Sequence, residues 1–238
     1  AYNGTDAAVT VPATLGGYPV TGIGKKAFAA KAITSVSLPE GVTQIATEAF
    51  KDSALQSISL PATLLNIADG AFMNTALSEL AVPESVTYIG VGAVSGCTKL
   101  ARLQVPFVGN AAGENNYFGA IFDAVKAGEN AAVPSALKEI IVSADDTLDQ
   151  KAFYGFDKVE HIVWSKAPKS IGGYAFYNCK SLNNLEMAFT AADEIGAYAF
   201  YGCQKLESIS LPARITGIGA FAFAGCTALK TISAGAKL

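Results

Sequence analysis

Short stretches of alternating apolar and polar residues recur along the chain. A complete example runs from Leu55 to Leu60 and is followed at once by Pro61. Alternation with a period of two is typical of a β-strand, and proline ends a strand because it has no N–H to donate to the ladder. The pattern therefore predicts many short strands with similar boundaries. Other stretches of this kind end at Pro39, Pro83, Pro106 and Pro212.

The central apolar residue of these stretches returns at a nearly constant interval of 22–24 residues. A fixed period of this length predicts a solenoid, in which each repeat buries its apolar face only against its neighbours. We expect one solenoid over residues 1–238, with about nine to ten repeats that each add one strand to a parallel sheet. The central residues are Val36, Ile58, Leu80, Leu103, Ile140, Ile162, Leu185, Ile209 and Ile232.

An Ala-Phe pair also returns in nearly every repeat. Between strand and pair, the pattern V-T-x-I predicts a second short extended piece, and the glycine after it predicts a bend with positive φ. The pattern A-F-x-x-C predicts one tight helical turn, so the fold class is an α/β repeat solenoid that is mostly β. The pairs begin at Ala27, Ala49, Ala71, Ala152, Ala175, Ala199 and Ala222, and Ala93-Val94 is a degenerate copy.

The ordered series of strand, proline, Ile-Gly and A-F-x-x-C resembles the BspA-like leucine-rich repeats, a family of bacterial and protist surface proteins. The resemblance covers nearly the whole chain, from about Tyr2 onward. It implies a right-handed leucine-rich-repeat superhelix with a parallel sheet and with short helical turns on the opposite side. It also implies adhesion or binding at the cell exterior, and it implies no catalytic residues.

One interval breaks the period, because 37 residues separate Leu103 from Ile140. This enlarged repeat covers about residues 106–137. Part of it has helical spacing, which predicts a short amphipathic helix. We expect an enlarged convex turn in which Phe122 replaces the missing core phenylalanine, since solenoids tolerate insertions; a binding loop is the alternative. The residues at helical spacing are Phe118, Ile121, Phe122 and Val125.

Strand alternation directs the residues on either side of each central position to the outer face of the sheet. Serine dominates these positions in several outer repeats, whereas the middle repeats are chemically varied. Neighbouring strands lie about 4.8 Å apart, so Glu139, His161 and Asn184 should form a row. The alternative is an ordinary solvated face. The candidate ligand face consists of Arg102, Gln104, Glu139, Ile141, His161, Val163, Asn184 and Glu186.

No enzyme activity and no cofactor are expected. His161 is the only histidine, and a catalytic base needs an oriented partner and a concave site, which a flat sheet does not provide. The segments 22–27 and 217–222 match a G-x-G-x-x-A dinucleotide fingerprint. Both segments lie at the same position within their repeats, and neither leads into the long helix that such a site requires.

No metal site is expected either. The cysteines share one phase of the repeat, which favours buried free thiols over zinc ligands. The carboxylates of Asp145, Asp146 and Asp149 lack the spacing of a calcium loop. The four cysteines are Cys97, Cys179, Cys203 and Cys226.

Tyrosines flank the Ala-Phe pairs of the later repeats and predict an aromatic strip on the convex side. Such a strip either binds sugars or protein partners, or it covers the coil below it. The tyrosines are Tyr154, Tyr174, Tyr177, Tyr198 and Tyr201.

Composition restricts the partners further. A net charge of -3 argues against nucleic acid, and no apolar run reaches the 18 residues of a membrane span. The first residues do not have the charged and apolar regions of a signal peptide, so the chain is expected to be either cytosolic or a mature or trimmed fragment of an exported protein. Together with the resemblance, this favours a trimmed fragment of a secreted or cell-surface protein. The uncapped ends predict a longer natural chain or end-to-end self-association.

These observations favour a non-enzymatic binding or adhesion module at the cell surface or in the medium. Its partner is expected to be a host or matrix protein or a glycan, recognised over an extended repeat surface. The alternative is a structural spacer or assembly module within a larger surface protein.

Overall fold

The computed structural model describes residues 2–111, 117–187, 192–211 and 214–234. These residues trace about nine turns of a mostly β solenoid. The expected strand end at Pro212 and the chain end at Leu238 lie outside the described residues. The right-handed sense of the superhelix and the assignment of residues 1–238 to one domain stay predictions.

Eighteen short strands follow one another in the described residues. The first ten are β1 (Ala8–Thr10), β2 (Thr14–Leu15), β3 (Tyr18–Pro19), β4 (Gly22–Ile23), β5 (Ser35–Ser37), β6 (Gln44–Ile45), β7 (Ser57–Ser59), β8 (Asn66–Ile67), β9 (Glu79–Ala81) and β10 (Tyr88–Ile89). The others are β11 (Arg102–Val105), β12 (Glu139–Val142), β13 (His161–Trp164), β14 (Asn184–Met187), β15 (Glu194–Ile195), β16 (Ser208–Leu211), β17 (Gly217–Ile218) and β18 (Thr231–Ala234).

The predicted strands of the alternating stretches pair in parallel and in register, as the period requires. They form three sheets rather than the single sheet expected, with orders β1-β5-β7, β9-β11-β12-β13-β14 and β16-β18. No strand pairing joins β7 to β9 or β14 to β16 within the described chain. At both breaks the central apolar residue, Ile58 or Leu185, is only half-buried, whereas Val36 and Leu80 are buried.

The V-T-x-I segments form the predicted second extended piece. Strands β4, β6, β8 and β10 pair in parallel as a second sheet, and β15 pairs with β17. Between these two groups, single bridges join Leu148 to Ile171 and Ile171 to Ile195. Two ladders therefore follow the solenoid axis. The fingerprint-like segments lie at β4 and β17, where no long helix follows them.

The Ala-Phe segments are turns, not the helical turns that the sequence predicted. In every copy, the residue before the alanine and the third residue after it have positive φ, between 56° and 76°. Only three residues lie between them, which is less than the 3.6 residues of one α-helical turn. The residues before the alanines are Lys26, Glu48, Gly70, Gly92, Lys151, Tyr174, Tyr198 and Phe221.

The glycines that follow the V-T-x-I segments have a different role from the one predicted. Gly90, Gly172, Gly196 and Gly219 do not have positive φ. A Cβ atom on Gly196 would instead lie 2.3 Å from the backbone nitrogen of Gly173 in the preceding turn. The glycine is therefore needed for the close approach of successive turns.

Phenylalanine rings stack along the axis of the solenoid. Their centroids are 5.1–5.5 Å apart in both halves, and the rings are close to parallel. Face-to-face stacking from turn to turn leaves little room for a change in ring size. The first column contains Phe28, Phe50 and Phe72, and the second contains Phe153, Phe176, Phe200 and Phe223.

The insertion contains a 3-10 helix, Phe118–Phe122, whose five residues are all buried. It ends at Asp123, which has a φ of 73°, so the predicted amphipathic helix is shorter than expected and Val125 is 80% exposed. Phe122 is fully buried, but Phe118 packs against Phe153, with 5.1 Å between the centroids and the rings tilted by 34°. Two phenylalanines thus fill the place predicted for Phe122 alone.

Candidate functional site

The central sheet brings the eight predicted face residues into two rows. Strands β11, β12, β13 and β14 pair in exact sequence register, so each outer position lies beside its equivalent in the next turn. The first row is Arg102, Glu139, His161 and Asn184; the second row is Gln104, Ile141, Val163 and Glu186. The face is therefore contiguous, and its charged groups lie in the first row and at the end of the second.

Two polar contacts organise this face. The Nε of Arg102 donates to the Oε2 of Glu139 at 2.7 Å, and the side chains of both residues are about one-third to one-half exposed, at 49% and 36%. The Nδ2 of Asn184 donates to the Oε1 of Glu186 at 2.9 Å. Exposed pairs of this kind contribute about 0–1 kcal/mol to stability, so they orient the side chains more than they stabilise the fold.

A further ion pair borders the face at the start of strands β12 and β13. The Nζ of Lys138 lies 3.0 Å from the Oε1 of Glu160 and also donates to the carbonyl oxygen of Lys158 at 3.2 Å. The hydrogen bond from Lys138 lowers the pKa of the Glu160 carboxyl. Sequence alternation did not identify this pair, because both residues precede their strands.

His161 is exposed in the first row, beside Glu139 and Asn184. Among the described residues, its ring makes no hydrogen bond that would orient it. Acid–base catalysis relies on such a partner, and the described residues provide none for this ring.

A groove crosses the face where β7 and β9 fail to pair, and we call it the seam groove. It has a volume of about 200 Å³ and adjoins the candidate face, because Arg102 and Gln104 line it. The outer positions of β7 and β9 are not among the eight residues predicted for the candidate face. No feature of the repeat pattern marks the break that opens the groove. The other lining residues are Ser57, Ile58, Glu79, Leu80 and Ala81.

The four cysteines are free thiols, as predicted, and three of them are fully buried. Each thiol donates to the carbonyl oxygen of a phenylalanine in a preceding turn; for Cys203 and Phe176 the distance is 3.2 Å. Burial raises the pKa of Cys97 and of Cys179. These are structural positions, because reactive cysteines need a stabilised thiolate.

The acidic loop has internal partners. The Oδ1 of Asp145 accepts hydrogen bonds from the backbone and hydroxyl of Thr147, and Asp146 lies 2.8 Å from the Nζ of Lys169. No group of three or more metal-ligating side chains occurs in the part of the chain that the structure describes. Trp164 is buried as predicted, and its indole N–H donates to the carbonyl of Asp145 at 2.7 Å.

The tyrosines form two stacked columns, with 4.7–5.1 Å between neighbouring ring centroids. Ring faces are therefore turned toward other rings, and mainly edges and hydroxyls face outward. This arrangement favours the interpretation in which each ring covers the turn beside it, because sugar stacking requires a free ring face. The columns are Tyr154, Tyr177 and Tyr201, and Tyr174, Tyr198 and Phe221.

Among the described residues, no helix has the length and apolar character needed to cross a membrane.

Several solved structures resemble the chain. A leucine rich cell surface protein from Faecalibacterium prausnitzii A2-165 is 22% identical, with coverage of 98% of this chain and 89% of that chain and a TM-score of 0.39. A leucine-rich repeat protein from Bacteroides ovatus is 23% identical, with coverage of 94% and 86% and a TM-score of 0.41. The leucine rich repeat protein of T. pallidum is 21% identical, with coverage of 96% and 80% and a TM-score of 0.47.

Sequence comparison identifies the family. No curated protein matches the chain. The family described as "BspA type Leucine rich repeat region" matches residues 21–140 and 146–238 with six copies, which is well over half of the sequence. The chain belongs to the BspA type leucine-rich repeat family.

Proposed function

We propose that the chain is a non-enzymatic binding module that recognises a protein or glycan through its central sheet face. The observation that carries this proposal is the register of β11 to β14, which aligns eight varied side chains in two uninterrupted rows. Three strand intervals of about 4.8 Å give each row a length of about 14 Å. Rows on a hydrogen-bonded sheet are held in place before binding, which lowers the entropic cost of association.

The chemistry of the rows suits a mixed polar contact. Arg102, Glu139 and Glu186 provide charges of both signs, while Ile141 and Val163 provide an apolar centre that is half-buried in the free protein. An apolar centre with a polar surround is the usual anatomy of a protein interface. By family resemblance, the module acts outside the cell or on its surface.

The test begins with a binding screen of the full chain against host matrix proteins and glycans. A binder is then measured against the variant Arg102→Ala, Glu139→Ala, His161→Ala, Glu186→Ala. We expect its affinity to fall at least about tenfold, because these side chains dominate the proposed contact.

The matched control places alanine at four equivalent outer positions of β5 and β16, outside the central sheet and the seam groove: Ser35, Ser37, Ser208 and Ser210. It should bind like the original chain. If the quadruple alanine variant of the central face, the charged-face variant, binds the ligand as tightly as the original chain, the proposal that this face binds the ligand is refuted.

A structural spacer is the second candidate, and the serine-rich outer positions of β5, β7 and β16 support it. A spacer predicts that no partner in the screen depends on the central face. End-to-end self-association stays a prediction, and light scattering across a range of concentrations tests it.

A further inference from the structure

The floor of the seam groove is apolar. Ile58 is half-buried there, although the equivalent residue of the preceding strand, Val36, is 4% exposed. Leu80 and Ala81 complete this floor on the β9 side. The absence of pairing between the two strands thus leaves part of a core side chain accessible to a ligand.

The wall of the groove carries two charged residues, Glu79 and Arg102, and only one of them has an ion-pair partner among the described residues. Glu79 is exposed and forms no ion pair among the described residues. Its ladder neighbour is Arg102, but that side chain turns to the other side and binds Glu139 at 2.7 Å. One cation therefore stands between two carboxylates, and Glu79 is the carboxylate left open to solvent.

The groove is too narrow to admit another strand. The Cα atoms of β7 and β9 approach within 8 Å of each other. An inserted strand needs about 4.8 Å on each side, or about 9.6 Å in all. A volume of about 200 Å³ instead suits one long side chain.

We propose that the seam groove anchors a lysine or arginine side chain of a protein ligand. The aliphatic stem lies on Ile58 and Leu80, and the cationic end pairs with the carboxylate of Glu79. Long cationic side chains bury their stems on apolar surface while the charge stays in water, which matches a groove with this floor and wall. The inference rests on the proposed function, because the groove opens onto the face that binds the ligand.

The experiment titrates the isotope-labelled chain with the blocked tripeptide acetyl-Ala-Arg-Ala-amide and follows the backbone amides by NMR. Shifts are expected at Ile58, Glu79, Leu80 and Ala81. The lysine tripeptide should cause the same pattern, whereas the citrulline tripeptide, which has a similar shape without the charge, should not. Equal binding of the citrulline peptide, or shifts confined to other residues, would overturn the proposal.

The variant Glu79→Gln removes only the charge. It should weaken the arginine tripeptide by up to about fivefold, which is the upper end of the range for one exposed ion pair. The control is Glu194→Gln on β15, an exposed carboxylate outside the groove without an ion pair among the described residues. It should leave the affinity unchanged, and an equal affinity for Glu79→Gln would refute the role of that carboxylate.

The two proposals fail separately. If a protein ligand loses affinity with the charged-face variant but not with Glu79→Gln, the face stands and the groove inference is wrong. Suppose instead that the arginine peptide binds the groove, but every ligand binds the quadruple alanine variant of the central face as tightly as the original chain. The groove inference is then supported and the proposed function is wrong.

Discussion

At the scale of single residues, one position shows how the repeat selects a side chain. This position, the third residue after each phenylalanine or after Val94, holds a small buried or half-buried side chain in six of eight repeats, and Lys31 and Phe156 are the exceptions. Cysteine fills it in four repeats, and serine and threonine fill it at Ser53 and Thr75. The hydroxyl of Ser53 donates to the carbonyl of Phe50 at 2.7 Å, and that of Thr75 contacts the sulfur of Cys97 at 3.2 Å. Size and donor capacity, not thiol chemistry, therefore explain these cysteines.

This interpretation predicts the behaviour of the thiols. Unfolded protein that has not been reduced should show four thiols by titration with an aromatic disulfide reagent. In the folded protein at pH 8, the three buried thiols should be unreactive, because burial disfavours the thiolate. Cys226 is half-buried and should react first. A count of two in the unfolded protein would reveal a disulfide and contradict the prediction.

At the scale of the repeat element, two kinds of backbone constraint set the shape of a turn. Left-handed residues on both sides of each Ala-Phe pair prevent a helix, and close contacts between turns require glycine after the second strand at Gly90, Gly172, Gly196 and Gly219. Residues other than glycine occupy some of these left-handed positions, including Tyr174 and Tyr198, although a side chain makes a positive φ unfavourable. Such positions typically cost about 1–3 kcal/mol, which stacking of the tyrosine rings helps to offset.

The close contact predicts different effects for the same substitution at two equivalent glycines. Gly196→Ala should destabilise the protein by about 1–3 kcal/mol, because its Cβ would lie 2.3 Å from a backbone nitrogen. Gly24→Ala should be nearly neutral, since no atom lies within 4 Å of the new Cβ. Thermal unfolding of both variants measures the difference. Equal melting temperatures would show that turns separate easily and would contradict the packing argument.

At the scale of the whole molecule, the division of the sheet into three parts separates the chemically varied face from its serine-rich neighbours. The central sheet, β9 to β14, contains all eight candidate residues. At the breaks on its two sides, adjacent parts are joined by side-chain packing, by the second ladder and by backbone hydrogen bonds between Ala-Phe turns, such as Phe72 N–H to the Ala93 carbonyl at 2.8 Å. Stability is therefore expected to be uneven along the solenoid.

Hydrogen exchange measures this unevenness. Backbone amides of β7 and β9 that face the break, such as those of Ile58 and Ala81, should exchange at least roughly tenfold faster than those between β11 and β12. The amides between β5 and β7 provide the internal control, since these strands pair normally. Equal protection at the break and within the central sheet would show that the gap closes in solution.

The repeat period was sufficient to predict the parallel strands, their register and the rows of the candidate face, because each depends on spacing alone. It did not reveal the sheet breaks, because Ile58 fits the strand pattern as well as Leu80 does. It also assigned positive φ to Gly196, where the real constraint is an atom of the preceding turn. Contacts between turns are set by packing along the axis, and the periodic pattern does not encode them.

The unpaired boundary between β7 and β9 has a mechanical consequence. Tension along the solenoid axis loads the backbone hydrogen bonds between adjacent turns. At this boundary one of the two strand ladders is missing, and the other ladder and the hydrogen bonds between Ala-Phe turns remain. The solenoid should therefore be more compliant there than within the central sheet. A pull transmitted through a bound ligand would widen the gap at β7 and β9 first and alter the seam groove before the rows of the central face separate.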